Sequence, residues 1–139
     1  MVNQYLLLVP GCIIMAVLIG GCSGADPTPN QIIRTLPPVE ASALIEEMRR
    51  HPEFAIIDLR RSDEFAGGHI PGAVNIDSAA SPEHIAGLDP DGVYVVYCQR
   101  GGRSAGVRKM MQEAGFSEVY EIEGGIGAWK AAGLPVTGG

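Results

Sequence analysis

Residues 98–104 read Cys98-Gln99-Arg100-Gly101-Gly102-Arg103-Ser104, a thiol followed by two glycines and two guanidinium groups. Two adjacent glycines let a backbone curl so that successive N–H groups converge, which makes an anion-binding nest. A helix starting at the end of such a loop adds the positive end of its dipole, and the arginines add full charges. Between Asp91 and Glu113 there is no acidic residue, whereas Arg100, Arg103, Arg108 and Lys109 all lie there. In settings of this kind a thiol pKa falls to roughly 3.5–7.5 from about 8.5, because amides, dipole and guanidinium all favour the thiolate. The same cradle receives an anionic head group beside that sulfur. A sulfur nucleophile facing an oxyanion cradle suits group transfer through a covalent cysteine intermediate. The plain alternative, a buried apolar Cys before a tight turn, leaves the flanking Arg100 and Arg103 without a purpose.

The elements around the loop must hold it rigidly. Val93-Tyr94-Val95-Val96-Tyr97 is the strongest strand pattern in the chain and ends directly at Cys98. Ligands of open α/β sheets bind at the carboxyl ends of strands, where this loop must sit. Ser104 to Ala114 reads as a helix closed by Gly115. Further strands are predicted at Phe54–Ile57, Ala73–Ile76 and Val119–Ile122. Ala41, Leu44, Ile45 and Met48 lie at i, i+3, i+4 and i+7, one apolar face of a helix that His51-Pro52 stops. Ser62 with Asp63 and Glu64, and Ser81 with Pro82, read as helix starts. A last helix over Gly127–Ala132 ends at Gly133. Strands alternating with helices predict an α/β fold with a parallel sheet covered on both faces.

Ten basic against sixteen acidic side chains give a net charge of −6, which excludes a general nucleic-acid binder. Three cysteines exclude a disulfide framework. The length of 139 residues fits one domain. Charge is absent from every side chain before Asp26, and Tyr5–Gly24 is almost wholly apolar or small. This stretch ends in Ile19-Gly20-Gly21-Cys22 and resembles a bacterial lipoprotein signal, which implies a lipid on Cys22 and residues 1–22 as the signal peptide. Its start lacks the usual positive charge, and an uncleaved helical anchor is the competing reading. Either one tethers the protein in the cell envelope, facing the periplasm or the cell exterior. Residues 23–38, with Pro27, Pro29, Pro37 and Pro38, read as a stiff linker, and residues 39–137 as the domain.

Over that domain the chain resembles the single-domain rhodanese family of sulfurtransferases. The resemblance is carried by Ile57-Asp58-Leu59-Arg60 with Glu64-Phe65, then Gly68-His69-Ile70-Pro71-Gly72-Ala73 with Asn75-Ile76. Next come the Cys98–Ser104 loop, Gly115-Phe116, and Gly124-Gly125 with Trp129, Gly133 and Pro135. It implies an open parallel sheet of about five strands with helices on both faces, and neither metal nor organic cofactor. It implies further that Cys98 carries a persulfide and that the loop amides of Gln99, Arg100, Gly101, Gly102, Arg103 and Ser104 bind substrate. Arg103 is expected to bond loop carbonyls and Arg100 to face substrate at the pocket mouth. The donor would be a small sulfur oxyanion such as thiosulfate, and the acceptor a thiol or cyanide. A monomer is expected.

Two other functions compete. One is a carrier or binding module that holds persulfide sulfur or an oxyanion for a partner without turnover. The more distant one is a phosphatase or arsenate reductase. Those enzymes place five residues between Cys and Arg, and four separate Cys98 from Arg103. The shorter ring fits a sulfur atom better than a tetrahedral phosphate. His69 is expected to be structural, Asp58 and Arg60 to form an ion pair or loop brace, and Glu64 to be a helix-start charge. His51 and His84 are expected on the surface, with Trp129 and Met110-Met111 in the core.

Overall fold

The computed structural model describes residues 30–139, so the expectations for residues 1–29, Cys22 included, lie outside it. Five strands form one sheet: β1 (Ile32–Leu36), β2 (Phe54–Asp58), β3 (Ala73–Asn75), β4 (Val93–Tyr97) and β5 (Glu118–Ile122). Their spatial order is β1-β5-β4-β2-β3 and every pairing is parallel. The helices are α1 (Pro38–Met48), α2 (Ser62–Ala66), α3 (Ser81–Ile85), α4 (Gly102–Glu113) and α5 (Gly125–Ala131). The expected open parallel α/β sheet is therefore the observed one.

Parallel strands need helical crossovers, and these bury both faces of the sheet. On one face Ala41 and Ile45 of α1 and Ile126 and Trp129 of α5 pack on Ile56, Val95, Tyr97 and Ile122. On the other, Val107 and Met111 of α4 and Ile85 of α3 pack on Ile57, Val96 and Val119, and Cys98 belongs to this second cluster. Side chains alternate faces along a strand, so Tyr97 and Cys98 look in opposite directions. Register then sorts the neighbours. Asp58 pairs with Tyr97 and shares its face. Glu121 pairs with Val96 and shares the face of the sulfur.

Three local expectations change. The segment read as linker through residue 38 supplies an edge strand, because Ile32, Ile33 and Thr35 are β-branched and pair with β5. Gln31 fastens its start, donating to the carbonyls of Gln112 and Phe116. Ser62 and Ser81 lie inside their helices, after N-cap residues Arg61 and Ala80. Helices α4 and α5 each start two residues earlier than read, because Gly101 and Gly124 turn the chain in the left-handed region at φ 104° and 71°.

Candidate active site

The chain reverses direction of travel across the sheet between β4 and β2. After β4 it crosses to β5, and after β2 to β3 on the other side. That is the topological switch point where a crevice opens at the strand ends, and Cys98 stands there as the first residue beyond β4. Its residue is 1% exposed, so the sulfur lies at the floor of the loop.

Above it the loop folds as the two glycines require. Gly101 precedes α4, and its amide donates to Cys98 Sγ at 3.1 Å. Ser104 Oγ lies 3.4 Å from the sulfur. Burial pushes the thiol pKa up, but the amides of Ser104, Arg100 and Gly101, with the Ser104 hydroxyl whenever it turns its hydrogen to the sulfur, outweigh it and hold the thiol below its ordinary value. The loop is clamped from α5: the amides of Ile126 and Gly127 donate to the carbonyls of Cys98 and Gln99 at 2.9 and 3.1 Å. Gly125 makes this approach possible. A Cβ there would stand 2.3 Å from the Cys98 carbonyl oxygen, at a φ of 61°.

A buried nucleophilic sulfur ringed by main-chain donors at a helix start can attack an electrophilic sulfur and hold the resulting anion. Comparison with known proteins fits that chemistry. Residues 40–132 match the rhodanese-like domain. The chain belongs to the rhodanese family. YtwF of Bacillus subtilis is 39% identical over 97 residues, which cover 70% of this chain and 93% of YtwF. The thiosulfate sulfurtransferase GlpE of Stutzerimonas stutzeri is 34% identical, over 70% of this chain and 84% of its own. Among solved structures, a rhodanese-related protein of Thermoplasma volcanium aligns with a TM-score of 0.64 and 27% identity, covering 75% of this chain and 97% of that one. A Rhodopseudomonas palustris protein of unknown function, described as a possible tyrosine phosphatase, aligns with a TM-score of 0.66 and 33% identity, covering 76% and 85%.

The rhodanese loop gathers the expected residues unevenly. Cys98, Gly101 and Ser104 meet at the sulfur, and Arg100 stands exposed at the rim. Gly102 opens α4 in solvent-exposed backbone. Gln99 turns away from the sulfur, its side-chain oxygen accepting from Arg60 Nη1 at 3.4 Å. Arg103 corrects an expectation: its guanidinium grips Glu64 with two bonds of 2.9 and 3.1 Å instead of loop carbonyls. Glu64 is thus its counter-ion, and Arg103 draws the Glu64 carboxyl pKa down to about 2. A bidentate carboxylate is a better partner for a planar guanidinium than scattered carbonyls.

The remaining candidates behave as structure. Asp58 and Arg60 form a buried pair at 2.7 Å, and Arg60 Nη2 also donates to the Gly68 carbonyl at 2.7 Å. His69 Nδ1 lies 3.0 Å from the Phe65 carbonyl, and its ring stacks on Phe65 at 3.7 Å. Trp129 is buried and donates from Nε1 to the Pro135 carbonyl. Met111 is fully buried, while His51 and His84 are exposed. Among the described residues, no group of three or more His, Cys, Asp or Glu is placed to hold a metal.

One residue near the sulfur escaped the sequence reading. Glu121 is 4% exposed and accepts from Ser104 Oγ at 2.7 Å and from Arg108 Nε at 2.8 Å. A signal existed: an acid inside a predicted buried strand, with Arg108 one helical turn beyond Ser104.

Proposed function

We propose that this rhodanese-family protein is a sulfurtransferase that moves sulfane sulfur through a persulfide on Cys98. The thiolate attacks the outer sulfur of a donor such as thiosulfate. A Cys98 S–S bond forms, the donor's S–S bond breaks, and sulfite leaves with the bonding electron pair. The negative charge then rests on the outer persulfide sulfur, within reach of the loop amides. A thiophilic acceptor, a thiolate or cyanide, attacks that sulfur and returns Cys98 as thiolate. One observation carries the reading: Sγ accepts the Gly101 amide at the start of α4 inside a ring with only four residues between Cys98 and Arg103. That ring length counts against the phosphate chemistry in the Rhodopseudomonas description.

The apolar segment Tyr5–Gly24 supports a place for the enzyme in the cell envelope, held by a lipid on Cys22 or by an uncleaved helix. Among the described residues, no helix is long and apolar enough to cross a membrane.

Mass spectrometry after incubation with thiosulfate tests the chemistry. The native protein gains one sulfur atom, Cys98→Ser gains none, and cyanide discharges the adduct as thiocyanate. Sulfur loading that survives in Cys98→Ser overturns the assignment. Loading without steady-state turnover selects the carrier reading, and release of phosphate from an aryl phosphate selects a phosphatase.

A further inference from the structure

The hydrogen on Ser104 Oγ is contested. A serine hydroxyl has one hydrogen to donate, and three acceptors surround this one. Glu121 Oε1 lies at 2.7 Å, the Gly101 carbonyl at 3.2 Å and Cys98 Sγ at 3.4 Å. The carboxylate is nearest, charged and buried, so it takes the hydrogen, and charge-assisted bonds are the stronger kind. Arg108 holds the other carboxylate oxygen at 2.8 Å. Towards the sulfur, Ser104 then offers a lone pair, which suits a thiol S–H and not a thiolate. For the hydroxyl to stabilise a thiolate, Glu121 must first give up its bond.

The other charged groups around the loop differ in kind. Arg103 on α4 is neutralised by Glu64 of α2, and Asp58 at the end of β2, on the face opposite the sulfur, closes on Arg60. Arg100 stands in solvent at the rim, and α5 meets the loop through the amides of Ile126 and Gly127. Glu121 is thus the acid that reaches the sulfur through one intervening hydroxyl.

We propose that Glu121, acting through Ser104, is a positioning residue that disfavours the empty thiolate at Cys98 and favours its sulfur-loaded form. In the persulfide, Sγ is a neutral disulfide sulfur and a poor acceptor. The charge has moved to the outer sulfur, farther from the carboxylate and nearer the amides. Ser104 then bonds Glu121 without competition. The empty protein keeps a less ionised, less easily oxidised thiol, an advantage for a cysteine that would work in an oxidising compartment. The second half of this inference rests on the persulfide reading above, and the first half does not.

Glu121→Gln removes the charge and can donate an amide hydrogen to Ser104, and the partly exposed Arg108 is free to turn to water. Iodoacetamide alkylation of the donor-free protein across pH reads the thiolate directly. The midpoint in Glu121→Gln moves to lower pH by about one unit, tenfold more thiolate at a given pH below it. In a Ser104→Ala background the same substitution moves it much less. No shift, or a shift to higher pH, overturns the proposal, and an undiminished shift without Ser104 overturns the relay. If Glu121→Gln does not fold, Glu121→Asn is read in the same way. With thiosulfate and sulfite at a fixed ratio, the loaded fraction is lower in Glu121→Gln than in the native protein. If alkylation shifts while neither protein ever loads sulfur, the persulfide reading fails and the role of Glu121 in ionisation stands.

Discussion

Two buried carboxylates, each paired with a guanidinium, flank the strand that leads to Cys98, and their bonds go to different places. On the β2 side, Asp58 accepts the backbone amide, Nε and Nη2 of Arg60, all at 2.7–3.1 Å. What remains of Arg60 goes to the Gly68 carbonyl, to the Gln99 side-chain oxygen and to the face of the Tyr97 ring, 5.9 Å from its centroid. On the β5 side, Glu121 gives one oxygen to Arg108 and the other to Ser104, which lies against the sulfur. The first pair is closed upon itself and fixes backbone. The second is left open towards the nucleophile. Strand parity decides which is which, because Asp58 shares a face with Tyr97 and Glu121 shares one with Val96 and Cys98.

If that contrast is right, breaking the closed pair harms folding more than ionisation. Arg60→Met strands Asp58, which is 0% exposed, and leaves the Gly68 carbonyl without its donor. Removing one partner of a buried pair costs about 3–5 kcal/mol. Denaturant midpoints should show a loss of that order. The alkylation midpoint of Cys98 in the folded fraction should move less than in Glu121→Gln. A loss below about 1 kcal/mol would mean that Asp58–Arg60 behaves like an ordinary surface pair.

The closed pair was legible in the sequence and the open one was not, for a physical reason. Asp58 and Arg60 lie two positions apart at the end of one strand, so their meeting is local. Ser104, Arg108 and Glu121 lie on a helix and on the strand that follows it. Their meeting depends on the β4–β5 register, which alternating hydrophobicity does not specify in a strand buried on both faces. The same limit explains β1. An edge strand of IIRTL flanked by prolines has too little pattern to separate it from a linker until β5 is present to pair with it. The Cys98 loop was readable because its glycines, arginines and thiol act within seven consecutive residues.

The clamp from α5 sharpens the comparison, since it holds the loop without any charge. Gly125→Ala puts a methyl 2.3 Å from the Cys98 carbonyl oxygen at a left-handed φ. Left-handed backbone costs an alanine about 1 kcal/mol and overpacking roughly 1–3 more, and the loop must back away from Ile126. Gly133→Ala serves as control, because Gly133 has φ 72° and nothing lies within 4 Å of the point a Cβ would occupy there. The difference in unfolding free energy between the two variants isolates the clamp. Cys98 alkylation should slow in Gly125→Ala alone, and equal losses in the two variants would show that the loop does not depend on α5.

The smallest effect belongs to the pair at the rim. Glu64 and Arg103 are 22% and 35% exposed in their side chains, so water screens them, and pairs of this kind contribute about 0.2–1 kcal/mol. The sign of the pH dependence is nevertheless fixed. Arg103 lowers the Glu64 carboxyl from its ordinary 4.5 to about 2. The folded state therefore binds that proton more weakly than the unfolded chain does. A depressed carboxylate adds stability that is fully present above about pH 4.5 and fades as pH falls towards 2. Glu64→Gln removes this contribution, so its stability deficit against the native protein should be constant from pH 7 to 5 and shrink between pH 4 and 2. A deficit that stays level through that acid window would assign Arg103 to the loop carbonyls after all, and would return its charge to the substrate.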